Sequence, residues 1–481
     1  MNTYRRLTSL ACSVLLLAVL ITLPACSSED EEHPNEYVNN WIKVNMDFWY
    51  YWNTTLPSSP DKTLASGDFF ESLLNEDDRF SWIQENYQEL LNSLQGVNEE
   101  AGYELALYRE SLDNNNVIAQ IVYVKPASPA ETAGLKRGDV ITQINTQQIT
   151  TENYQTLLSA TGNDHTIHYR ELDIENGVFL TTVKTKALTT AVYAENPNFL
   201  NKVFTHNNRK IGYYVYNLFS TGPTQNNNTY NTQMDQIFAS FQSDGITDLI
   251  IDLRFNSGGA EAATVNLASL IGKGADNTKV FTIREYNKLV ETEIKSEPTL
   301  GADFLTVEFS NKSQNVGNQL MNSRVYILTG TRTASASELL INGLRPYMDV
   351  FIIGSTTVGK NVGSISIFDE DDTRNTWGMQ PIVTKSLNSA KESDYANGFA
   401  PQIPLPDNNL IIYPLGDERE LLLARALQEI TGEIDPGRVR AAKTWGAEVG
   451  HTLDLKKHSN VLILDPAHEQ KLLQKLHPFS F

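Results

Sequence analysis

Apolar positions along this chain change their period twice, and the changes outline its parts. In the first segment Trp41, Ile42, Met46, Trp49, Tyr50 and Trp52 recur at helical spacing up to Pro57, which predicts a helical region over 36–100. A second helix is expected there over Asp77–Glu89, anchored by Phe80-Ser81-Trp82-Ile83. From Lys210 onward, short apolar runs alternate with helical stretches. Ile211–Phe219, Leu249–Leu253, Arg324–Leu328 and Val350–Ile353 read as buried strands, and Thr232–Phe241, Ala262–Ile271 and Ala334–Leu344 as helices. That alternation is the signature of an α/β domain. Ile403–Tyr413 reads as extended, Asp417–Ile430 as a closing amphipathic helix, and 434–481 carries no clear period.

Two residues inside the α/β part can do chemistry together. Ser335 stands where a helix begins, so unpaired backbone N–H groups and the helix dipole favour negative charge beside it. Lys360 follows 25 residues later, after one helix and one returning strand, in a turn that can come back to that helix start. Burial there disfavours the ammonium, and a neutral lysine can take the proton of a serine hydroxyl. Ser335-x-x-Glu338 is also a capping box, which needs no chemistry at all. Upstream, Asn256-Ser257-Gly258-Gly259 follows a buried strand, and glycine there lets backbone N–H groups approach a ligand.

The combination resembles the carboxy-terminal processing peptidases, also called tail-specific proteases. It rests on Thr333-Ala334-Ser335-Ala336-Ser337-Glu338, on Lys360 in a Gly-Lys turn, and on Asp252-Leu253-Arg254-Phe255-Asn256-Ser257-Gly258-Gly259. Ahead of these, Ser128-Pro129-Ala130 through Ala133-Gly134-Leu135-Lys136-Arg137-Gly138-Asp139-Val140-Ile141 resembles the PDZ pattern. The resemblance implies a multidomain α/β protein with a ClpP/crotonase-like protease core. It implies Ser335 as nucleophile and Lys360 as general base; Gly258 or Gly259 is then the expected donor of one half of an oxyanion hole and the N–H of Ala336 the other. Many members carry glutamine four residues after the lysine; Ser364 stands there in this chain and is the expected third member. The implied domains are a peptidase over 195–433 and a PDZ-like domain over 101–190. The PDZ loop Gly102-Tyr103-Glu104-Leu105 would hold a peptide end through its backbone. The expected activity is serine endopeptidase action on proteins or peptides. The rival expectation is a peptide-binding surface lipoprotein on a degenerate protease fold.

Composition changes the picture in three places. Met1–Ala25 has a basic start at Arg5-Arg6 and an apolar run from Leu10 to Leu23, so it reads as a signal segment. Leu23-Pro24-Ala25-Cys26 resembles a lipobox, implying lipid on Cys26, an acidic tether over 26–35, and placement in the bacterial cell envelope. The formal charge is −20, and losing that segment removes two arginines and no acid, leaving −22. Such a charge argues against nucleic acid as a partner. Finally, none of the eight histidines lies between 207 and 450, so a serine–histidine pair would need a residue from far away. No Cys/His cluster has metal spacing and no phosphate-binding glycine loop occurs, so neither metal nor cofactor is expected.

Overall fold

The computed structural model describes residues 35–94, 97–111, 113–224, 227–433, 443–455, 462–464 and 466–476. The signal segment, Cys26 and nearly all of the tether lie outside the described residues.

A six-stranded sheet forms the middle of the molecule, in the order Asn198–His206, Arg209–Tyr216, Asp248–Asp252, Arg324–Thr329, Asp349–Gly354, Ile403–Pro404. Only the first pair is antiparallel; every later neighbour is parallel. Side chains alternate between its faces. Tyr214, Ile251 and Ile327 meet Phe238, Leu267 and Leu340 of three helices, while Tyr213, Ile250 and Leu328 meet Leu423 and Leu427 of a fourth. Both faces are therefore covered, which is why these strands read as unbroken apolar runs. The helices are Thr229–Asp244, Glu261–Ile271 and Ala336–Leu344 on one side and Leu421–Thr431 on the other.

The PDZ sheet runs in the order Lys184–Leu188, His165–Arg170, Val140–Ile144, Val117–Val124, Tyr103–Arg109, Glu448–His451. Its last strand comes from the C-terminal region. Arg137 docks this domain on the α/β core, donating from Nε to Tyr413 O at 2.8 Å and pairing with Glu420. The N-terminal helices Glu36–Trp49 and Ser66–Ser72 pack around Trp49, Phe69 and Phe70. They share that core with Val290 and Ile294 of Lys288–Ser296 and with Leu472 of the C-terminal helix Pro466–Leu476.

Several sequence expectations need correcting. Asp77–Glu89 is not one helix: it is a turn, a short strand Trp82–Gln84, and a helix that begins only at Tyr87. The reason is Asp78, whose carboxylate accepts from the N–H groups of Phe80 and Ser81 and fixes a turn there. Ile403–Tyr413 is strand only over Ile403–Pro404. The patternless C-terminal region contributes to three neighbouring elements: the PDZ sheet, the N-terminal core, and a second six-stranded sheet through Leu462–Ile463.

Candidate active site

Three parallel strands, ending at Asp252, Thr329 and Gly354, open into the loops that carry Asn256–Gly259, Ser335 and Lys360. Ligands in open α/β sheets bind beyond the carboxyl ends of such strands. The three loops are laced together. Asn256 O accepts from Ala334 N–H at 3.3 Å and from Ser337 Oγ at 3.1 Å, one on each side of Ser335. Thr333 Oγ1 donates to Leu253 O, and Val358 N–H donates to Thr333 O.

Ser335 is the N-cap of the helix Ala336–Leu344, with φ 58° and ψ −112°. A non-glycine residue rarely adopts positive φ, and a serine held so on a strand-to-helix turn has the backbone of a nucleophile elbow. Ser335 and Glu338 fill the two positions of a capping box. The glutamate arm is a full hydrogen bond, from Ser335 N–H to Oε2 at 2.8 Å. The serine hydroxyl, fully buried, has no hydrogen-bond partner.

Glu338 reaches further than a cap. Its Oε2 also accepts from Lys360 N–H at 2.8 Å, and its Oε1 accepts from Gly359 N–H at 2.7 Å and Thr357 Oγ1 at 2.5 Å. One buried carboxylate oxygen thus holds the backbones of Ser335 and Lys360 together. Burial raises its carboxyl above the ordinary value, and the donors from Thr357, Lys360, Ser335 and Gly359 oppose that rise. Gly359 has φ 90°, and a Cβ there would lie 2.2 Å from Ala396 O, so glycine is required just before the lysine.

The Lys360 side chain is buried, and burial lowers its pKa to about 7, against the opposing pull of Asp78 and Glu338. Its ammonium nitrogen lies 4.8 Å from the centre of the Phe80 ring. Phe80 comes from the N-terminal domain, and its turn is fastened on every side. Asp78 Oδ2 accepts from Tyr50 at 2.8 Å, Ser81 Oγ accepts from Ile382 N–H at 2.8 Å, and Arg79 donates to Gly359 O at 3.0 Å.

The remaining expected residues fall close by or in the neighbouring domain. Ser364 is buried in a strand beyond Lys360 and donates to Gln380 Oε1 at 2.6 Å, while Gln380 Nε2 donates to Ser366 Oγ. Gly258 N–H is donated to the Asn256 side chain at 2.9 Å. Gly259, at φ 130°, tucks against Phe219 O, where a Cβ would sit 2.1 Å away. Ala336 is the first residue of the Ser335 helix. Gly102, Tyr103 and Glu104 instead line a cleft of about 560 Å³ that continues past Phe255 and Ser257 of the α/β core. Leu105 lies in the strand Tyr103–Arg109 and is fully buried. Ser335 and Lys360 are absent from that cleft's walls. Sequence reasoning missed Glu338 as a bridge, the Asp78–Phe80 turn and Gln380. The capping-box spacing was a partial signal for the first; nothing local signals the others.

Known proteins match along most of this length. The description "Peptidase family S41" fits residues 210–405, "Peptidase S41 N-terminal domain" fits 37–82, and "PDZ domain" fits 120–167. A carboxyl-terminal-processing protease of Picosynechococcus sp. is 24% identical over 447 residues, spanning 89% of this chain and 96% of the relative. A CtpA-like serine protease of Staphylococcus aureus is 27% identical over 247 residues, 50% of this chain and 42% of that one. A Bacteroides fragilis protein solved as a candidate S41 protease superposes with a TM-score of 0.67 at 26% identity, over 82% of this chain and 98% of that one. With the helical N-terminal region, the PDZ domain and the α/β core all in place, the chain carries a family S41 peptidase domain together with an S41 N-terminal domain and a PDZ domain, and it is a serine protease.

Proposed function

We propose that this protein is an endopeptidase in which Ser335 attacks the peptide carbonyl and Lys360 is the general base. The observation that carries the reading is the shared Glu338 oxygen: it ties the backbone of a strained serine, its hydroxyl unpartnered, to the backbone of a buried lysine whose pKa burial lowers to about 7. Neutral Lys360 accepts the Ser335 hydroxyl proton as Oγ bonds to the carbonyl carbon. The resulting ammonium gives that proton to the leaving amine, and water then repeats the sequence on the acyl-enzyme. The oxyanion falls to backbone N–H groups of Gly259 and Ala336, because Gly258 N–H already serves Asn256. Substrates are proteins or peptides that approach along the cleft beside the PDZ domain. The test is mass-spectrometric detection of fragments from denatured casein, with the Ser335→Ala protein as control.

Ser364 belongs to the same proposal as the residue that, with Gln380, steadies the Lys360 turn. Ser364→Ala should lower kcat by roughly 10- to 100-fold at unchanged KM. Wild-type kinetics in that variant would remove Ser364 from the site and leave the serine–lysine pair standing.

We also propose that the protein is held in the bacterial cell envelope by lipid on Cys26, on the strength of Leu23-Pro24-Ala25-Cys26. Among the described residues no helix is long and apolar enough to cross a membrane. Cys26→Ser should therefore move the protein from the membrane fraction to the soluble one. Its persistence in the membrane fraction would overturn the assignment.

A further inference from the structure

PDZ domains take a peptide by adding it as a strand to an open sheet edge. In this protein that edge, Tyr103–Arg109, is already paired. The strand Glu448–His451 runs antiparallel to it, with His451 opposite Ala106, Gly450 opposite Leu107 and Glu448 opposite Tyr108. The added strand also meets the far wall of the groove: a Cβ on Gly450 would lie 2.9 Å from the ring of Tyr154, the first residue of the PDZ helix Tyr154–Ala160. Val449 packs on the PDZ core. At the loop expected to grip a peptide end, Thr452 Oγ1 accepts from Leu105 N–H at 2.8 Å and donates to Glu104 at 2.5 Å.

We propose that residues 448–454 are the resident ligand of the PDZ groove, an internal strand that an incoming peptide must displace before it enters the cleft lined by Phe255 and Ser257. Three features support the displacement step. Thr452 and Leu453 are themselves walls of the cleft that Phe255 and Ser257 also line. Both ends of the resident segment are tied to one residue, Arg332, which pairs with Glu448 and Asp454 at 2.6 Å each. Arg332 stands three residues before Ser335, and Ser335 is fully buried in this state.

The groove's charge defines what it accepts. Buried Lys125 faces Glu100 at 2.5 Å, Glu104 at 3.2 Å and Glu195 at 2.8 Å, so three carboxylates surround one ammonium where a terminal carboxylate would arrive. Like charge disfavours such an end. The ligand class is therefore an internal β-strand presenting a hydroxyl or amide at that position, as Thr452 does.

The test is fluorescence anisotropy with a labelled peptide copying residues 446–452, in amidated and free-acid forms. Binding is read on the full chain carrying Ser335→Ala, so the result does not depend on the serine–lysine proposal. Two release variants are compared with that parent. Val449→Asp puts charge against the PDZ core, and Glu448→Gln/Asp454→Asn removes both ties to Arg332 while leaving the core untouched. The expected result is at least about tenfold tighter binding in the release variants, with the amidated peptide binding no weaker than the free acid. Equal affinity in the parent and the double variant, or a preference for the free acid, would overturn the proposal.

Discussion

Ser335→Ala should abolish casein cleavage, by at least about 10³-fold, and leave the melting temperature unchanged within about 2 °C. The second half separates chemistry from capping. A serine that merely caps a helix loses about 1 kcal/mol of stability when truncated, because its hydroxyl served a backbone N–H. Here Ser335 Oγ has no hydrogen-bond partner, so truncation removes nothing of that kind. Ser335→Gly should go further and stabilise the fold by about 1 kcal/mol, since φ 58° with ψ −112° strains any residue bearing a Cβ. An inactive protein at least as stable as the parent is the mark of a residue whose conformation serves reaction rather than folding. A folded Ser335→Ala protein with wild-type turnover would refute the nucleophile assignment. Activity retained together with a stability loss of about 1 kcal/mol would identify Ser335 as a cap.

The parts legible in the sequence were those governed by local pattern. The strand before Ser335, the helix after it and the returning strand before Lys360 follow from apolar periodicity, and each lies within a residue or two of expectation. Glu338 shows where locality ends. Its spacing from Ser335 gives away the cap, but its bonds to Gly359 and Lys360 exist only once the strand Asp349–Gly354 has brought the turn after it back beside the helix. The Asp78–Ser81 turn was misread because Phe80, Trp82 and Ile83 suggest a buried helical face. The competing preference was the Asp78 side chain's own hydrogen bonds to the backbone. The C-terminal region was illegible for a different reason. Glu448–His451 and Leu462–Ile463 are too short to show a period, and they become strands by borrowing partners from sheets more than 80 residues away.

For Lys360 two readouts should move in opposite directions on one substitution. Lys360→Met removes the base, and casein cleavage should fall at least about 10³-fold. The same variant should be more stable than the parent at neutral pH. The sign follows from the two pKa values, about 7 in the folded protein and 10.5 as the unperturbed value. Between them the unfolded chain binds a proton that the folded one refuses, so the parent loses stability as pH falls from about 10.5 to about 7. Below about 7 both states bind it and the deficit stops growing. Methionine removes the deficit, so its advantage should vanish at high pH and reach a few kcal/mol at neutrality, because each tenfold loss of proton affinity on folding costs about 1.4 kcal/mol. Activity of the parent should rise with pH through about 7 and then level, because only the neutral amine accepts the Ser335 proton. Lys360→Arg keeps a charge that cannot be shed, so it should be both inactive and destabilised. The charged groups facing the amine are Asp78, from the N-terminal turn, and Glu338, from the Ser335 helix. Phe80 covers it as well, and Phe80→Ala should admit water, relieve the burial and move the activity rise to higher pH. Equal activity in the parent from pH 6 to pH 9, or more than about a hundredth of the parental rate in Lys360→Arg, would exclude Lys360 as the base.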